Sequence, residues 1–181
     1  MKKGIYLVIL VCAISLLVVG CGNKHTSSGP VQGSNPESTA QPTEANQEEE
    51  NKQTQEIQVY YVDTQLTKLE KSTKEITFKD NSDKYSKTFV ALESNDQTQL
   101  VSLWNKIDLL STKFEQGMLT LDVHIPDEAR LGAGGELLAL DALSETFFQF
   151  EEVQSIDLLV DGESPESLMG HAELDHPINR E

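Results

Sequence analysis

The chain has 181 residues, with 14 lysines and arginines against 30 aspartates and glutamates, a formal net charge of −16. A length of this order fits one domain with a tail. So acidic a surface repels nucleic acid and anionic lipid headgroups, which excludes nucleic-acid binding and any membrane attachment that depends on charge.

Residues 1–20 read as an export signal. Met1, Lys2 and Lys3 form a short positive start, and an apolar run from Ile5 to Val19 comes next, broken only by Ser15. A spanning helix needs about 20 apolar residues, and this run is shorter. A charged start, a short apolar core and small residues at the exit are the marks of a signal peptide. Val18-Val19-Gly20-Cys21 resembles the lipobox of bacterial lipoproteins. That resemblance implies a diacylglycerol on the Cys21 thiol, cleavage just before it, and a chain lipid-anchored at the extracytoplasmic face of the cell membrane. Lipid attachment at Cys21 is the one site residue expected. Cys12 would leave with the signal, so no disulfide and no cysteine-bound metal is available to the mature chain. Loss of Lys2 and Lys3 takes the net charge from −16 to −18.

Residues 21–56 read as the lipidated cysteine and a disordered polar linker. Gly22 to Glu56 is built from Ser, Thr, Gly, Pro, Asn, Gln and Glu, with Val31 as its only large aliphatic residue. Such a segment buries too little apolar surface to offset the entropy of ordering. Behaving as a flexible coil, it would span about 30–35 Å on average.

Residues 57–181 are expected to form a single domain. Ile57 to Asp63 is β-branched and aromatic and predicts a strand, with a weaker one over Leu69 to Phe78. Tyr85, Phe89 and Leu92 have helical spacing, which predicts a helix from Asp83 to Glu93. Asn95-Asp96 suggests a cap for a second short helix, Thr98 to Trp104. Ile107–Phe114 and Met118–Ile125 flank Glu115-Gln116-Gly117, a hairpin signal. Along its second arm Leu119, Leu121, Val123 and Ile125 share one face. Gly132-Ala133-Gly134-Gly135 opens the strongest helix, Glu136 to Phe150, with Leu140, Leu143, Phe147 and Phe150 as its buried stripe and Leu137 extending it by a turn. Val153–Val160 predicts a strand ending at Asp161-Gly162, Glu166–Met169 a short final strand, and Gly170–Glu181 an irregular close. This order predicts an α+β fold, a small mostly antiparallel sheet with helices packed on one face.

Chemistry is sparse. Of the four histidines, His25 lies in the linker, while His171, Glu173, Asp175 and His176 form the only cluster with metal-ligand character. Zinc needs three or four ligands held in fixed geometry, and this stretch reads as a turn in which His171 satisfies backbone groups after Gly170. No Gly-x-Ser-x-Gly elbow is present. Trp104 comes after Val101 and Leu103 and reads as core. No catalytic residue, cofactor or metal ligand is assigned. Charge is uneven: six lysines face five acids from Ile57 to Ala91, but four basic residues face 19 acids from Leu92 onward.

The folded part resembles the GerM (GerMN) domain of bacterial sporulation and spore-germination lipoproteins. The match is carried by Val59-Tyr60-Tyr61-Val62 and Leu119-Thr120-Leu121-Asp122-Val123. Ala142-Leu143, Phe147, Gln149-Phe150, Val153 and Val160-Asp161-Gly162 continue it. Leu168, Gly170-His171, Pro177 and Arg180 complete it. Where that family has a helix ending in Gly-Pro, this chain has Lys87–Ser94 without one. The resemblance implies a fold like the ring-building modules of sporulation secretion complexes. It also implies a non-enzymatic role, with the lipid anchor in the membrane and another envelope protein as partner. The alternative is a small-ligand- or cation-binding lipoprotein that serves a transporter or sensor.

Overall fold

A computed structural model describes residues 52–181. The expected signal peptide, Cys21 and most of the linker lie outside the described residues. The described residues form seven strands and two α-helices.

Strands β1 (Gln53–Asp63) and β2 (Leu69–Phe78) form an antiparallel hairpin. Its turn is held by Asp63, whose carboxylate accepts from the Thr67 amide at 2.7 Å and the Thr67 hydroxyl at 2.6 Å. Ile57, Val59 and Tyr61 alternate inward from β1, as do Ile76 and Phe78 from β2. The first strand begins at Gln53, four residues before the expected boundary. Gln53 to Glu56 are polar and exposed, but their backbone pairs with Glu75 to Phe78. The ladder uses main-chain groups, which hydropathy does not register.

Helix α1 (Asn81–Glu93) is next, with Asp80 as N-cap accepting from the Asp83 amide at 2.9 Å. The helix expected at Thr98–Trp104 is absent. There the chain forms a two-residue strand, β3 (Leu100–Val101), on the far edge of β1. Tertiary bonds outweigh the capping signal. The Ser102 hydroxyl donates to the Leu92 carbonyl at 2.6 Å, and the Trp104 indole donates to the Ala139 carbonyl at 2.9 Å.

Strands β4 (Asp108–Glu115) and β5 (Met118–His124) form the expected hairpin. Gln116 and Gly117 both have positive φ, +51° and +87°, as a two-residue turn with the twist of its strands requires. β4 carries a bulge between Leu109 and Ser111. Helix α2 (Ala133–Phe147) then carries the chain across to β6 (Ser155–Val160), which runs parallel to β5. β7 (Ile178–Asn179) adds antiparallel to β6.

The fold is mixed α+β, as expected, but its strands divide into two sheets, β2-β1-β3 and β4-β5-β6-β7. One cause lies in α2. Along Gln58 to Tyr60 the second edge of β1 meets side chains of α2 and of the turn just after it, and no strand. The Gln149 side-chain amide accepts from the Gln58 N–H at 2.8 Å and donates to its carbonyl at 2.7 Å. The Thr146 hydroxyl accepts from the Tyr60 N–H at 3.1 Å. The buried stripe of α2 is therefore rotated from the expected one. Glu136, Ala139, Ala142, Leu143, Thr146 and Phe147 face inward, Leu140 is half-buried, and Leu137 is 53% exposed. Small residues at Ala139, Ala142 and Thr146 let the helix approach β1 closely.

The core contains Trp104, Tyr61, Tyr85, Phe89 and Phe147, all essentially inaccessible. Phe89 and Trp104 meet edge to face at 5.5 Å between centroids, a favoured aromatic geometry. The Tyr61 hydroxyl donates toward the Ala91 and Ser94 carbonyls at 2.6 and 2.7 Å. Burial, and secondarily the charge of Asp96, push its pKa up to about 12.

Candidate interaction surfaces

Glu136 enters α2 in its first turn, where its own amide donates to the Gly132 carbonyl at 2.9 Å. Its side chain is fully inaccessible. The carboxylate accepts from the Met169 amide at 2.8 Å, the His171 amide at 3.0 Å and His171 Nδ1 at 2.8 Å. Burial alone would raise its pKa, but the bonds from Met169, His171 and Ala172 outweigh burial and hold it below the ordinary carboxylate value. Two sequence expectations fail here. Glu166–Met169 is not a strand: the Met169 amide turns toward Glu136, and a single bridge, Ser167 to Glu173, is formed in this stretch. His171 bonds a carboxylate, and not turn backbone. Glu136 itself was readable only as an acid near a helix start, where the dipole favours negative charge.

Lys84 on α1 is likewise inside, 7% exposed. Its ammonium lies 4.8 Å from the Tyr85 ring centroid and 4.6 Å from that of Phe150, and it pairs with Glu152. The Tyr85 hydroxyl donates to the same carboxylate at 3.1 Å. This cluster ties α1 to the turn that precedes β6.

His176 has both ring nitrogens against acceptors, Nδ1 at 2.8 Å from Asp157 and Nε2 at 2.8 Å from the Pro165 carbonyl. A neutral ring can donate only one of these bonds. Burial opposes the charged ring, yet the bonds to Asp157 and Pro165 outweigh it and raise the pKa above its ordinary 6.5. The folded state therefore holds the proton more tightly than the unfolded chain. This contribution to stability is full below the ordinary histidine value and is lost as pH rises through the folded one. The melting temperatures of the wild type and His176→Asn should differ most in mild acid and converge at alkaline pH. A gap that widens with pH would refute a charged His176 bridging Asp157 and Pro165.

His124 pairs with Asp161 at 2.8 Å on the outer face of β5. Of the expected cluster, His171, Glu173 and His176 do border one hollow of about 640 Å³, without Asp175. Among the described residues no three His, Cys, Asp or Glu side chains converge on a metal-sized point.

A second hollow has a different character. Between the solvent side of β1 and β2, the last turns of α2 and β7 lies a groove of about 700 Å³. Tyr60, Leu69, Phe148 and Ile178 form its walls, each half-buried against the core. Asp141, Ser144 and Glu145 line it from the helix. The Tyr60 pKa is raised by burial, then by the Glu145 charge and hydrogen bond. Arg180 also borders the groove, but its donors are taken. Nε bonds the Val153 carbonyl at 2.9 Å, Nη1 that of Phe148 at 2.6 Å, and Nη2 those of Phe150 and Val153. Its guanidinium carbon lies 5.1 Å from the Phe148 ring centroid.

A family model described as "Germane: Sporulation and spore germination" matches residues 58–166. Three solved structures share the fold. A candidate lipoprotein from Clostridium perfringens is 20% identical with a TM-score of 0.50, covering 70% of this chain and 88% of that one. The first GerMN domain of the sporulation protein GerM from Bacillus subtilis is 12% identical with a TM-score of 0.53, covering 69% and 97%. The tandem GerMN domains of the same protein are 19% identical with a TM-score of 0.51, covering 71% of this chain. This chain spans 46% of that tandem structure, about half its length. No curated protein matches.

Proposed function

Because this chain belongs to the Germane family of sporulation and spore germination, we propose that it is a non-enzymatic envelope lipoprotein whose domain acts by protein contact. One observation carries the reading. Four of the buried or shifted ionisable groups, Glu136, Lys84, Glu152 and His176, are bonded to their own chain and hold loops in place. The groove beside Tyr60 and Phe148 is left open. Groups spent on structure are poor candidates for acid–base work, whereas an open groove suits recognition. The deciding experiment is a pull-down from envelope extract with the full chain against a control of residues 21–56 alone. Specific enrichment of a partner is expected; none over control would remove the contact reading. A deletion strain separates a spore role from a general envelope role, since spore yield and germination should both stay normal in the second case.

Anchoring belongs to the same proposal. Among the described residues no helix is long and apolar enough to cross a membrane. With Cys21 carrying lipid, about 0.8 kcal/mol per buried methylene holds the chain to the bilayer. Cys21→Ala should move the protein from the membrane to the soluble fraction. Unchanged membrane retention in high salt would refute Cys21 as the anchor. The small-ligand reading has one observation in its favour, the aromatic lining of the same groove.

A further inference from the structure

We propose that the groove between Tyr60, Leu69, Phe148 and Ile178 docks a lysine or arginine side chain from an extended segment of a partner protein. This rests on the contact reading above and names its surface. The walls are apolar or aromatic, and the charges along the helical side, Asp141 and Glu145, are negative. A long basic side chain matches that division, with its methylene stem on the walls and its head at the carboxylates. The one cation in the groove does not neutralise them, because every nitrogen of the Arg180 guanidinium donates to a backbone carbonyl. Asp141 has no salt-bridge partner among the described residues. Lys71, the cross-strand neighbour of Tyr60, lines a separate hollow. Phe148 already stacks under one guanidinium, so its ring is presented in a geometry that receives cations. A bare metal ion fits less well, since no three ligating side chains converge here. A volume of about 700 Å³ holds more than one side chain, which favours a segment over a free ion.

The test uses the full chain and a blocked hexapeptide carrying two lysines, with a twin carrying norleucine at both positions. Calorimetric titration should show binding of the lysine peptide and none of the twin. The pair Asp141→Asn with Glu145→Gln should weaken binding about tenfold or more with the native circular dichroism retained, since the glutamine oxygen still accepts from the Tyr60 hydroxyl. An equal loss of charge elsewhere, Asp108→Asn with Glu115→Gln on β4, should change affinity by less than about twofold. Equal losses in both pairs would reduce the effect to net charge and overturn the groove. So would no binding of the lysine peptide, or spermidine binding as tightly as the peptide. An envelope partner captured equally well by the Asp141/Glu145 variant would leave the contact reading standing and remove the groove from it.

Discussion

Truncating Phe147 to alanine is expected to cost about 3–5 kcal/mol of unfolding free energy, the range for emptying a large aromatic site in a core. Phe147 is wholly inaccessible at the last turn of α2, in the cluster that also holds Leu143, Val153 and Ile156. The helix cannot slide to fill the void, because Thr146 and Gln149 on either side are bonded to the β1 backbone. Collapse is thus restrained, which places the cost toward the upper end. Urea denaturation followed by Trp104 fluorescence measures it. A midpoint unchanged from wild type would show that α2 does not bury this face.

Glu136→Ala should cost a comparable amount, about 3–5 kcal/mol, for a different reason. The volume lost is small, but the amides of Met169 and His171 lose their acceptor inside the protein. Each orphaned buried donor carries a penalty of about 1–3 kcal/mol. Glu136→Gln keeps the shape and one acceptor oxygen, so it should recover part of the loss. The sign of the pH effect is set by the lowered pKa. The carboxylate's contribution is complete above the ordinary glutamate value and is lost as pH falls through the folded one. Wild type and Glu136→Ala should therefore converge in acid and separate at neutral pH. A constant gap across that range would mean that burial, and not charge, sets the effect.

Those two residues mark how far the sequence could be read. Phe147 was visible because apolar residues recur at helical spacing around it. The β4–β5 hairpin was visible because Gln116-Gly117 separates two alternating runs. Gln53–Glu56 and β3 were not visible. Their pairing is main-chain, with polar or too few side chains to leave a pattern. The exposed Leu137 was misread because periodicity gives a stripe and not its rotation. The rotation is fixed by long-range bonds, with Thr146 and Gln149 reaching residues 86 and 91 positions away.

The candidate site was less legible than the fold. The groove joins Tyr60 and Leu69 to Phe148 and Ile178, and no local spacing relates them. Arg180 stood among the residues of the family resemblance, but its work is three-dimensional. It holds the carbonyls just past α2. In the sequence His171 reads as a turn residue that satisfies backbone groups, whereas the structure uses His171 and His176 as loop fasteners. Their partners, Glu136 and Asp157, lie 35 and 19 residues away.

The pairing of Gln149 with Gln58 also bears on how copies of this protein behave side by side. A bare strand edge is a template on which a second chain can grow a sheet. On β1 that template is occupied by a side-chain amide which imitates the missing strand, one donor and one acceptor to one residue's backbone. On β4 the bulge at Leu109–Ser111 bends the edge out of register, and Lys113 adds a charge to it. A domain crowded against its neighbours can therefore meet them repeatedly without fusing into a continuous sheet.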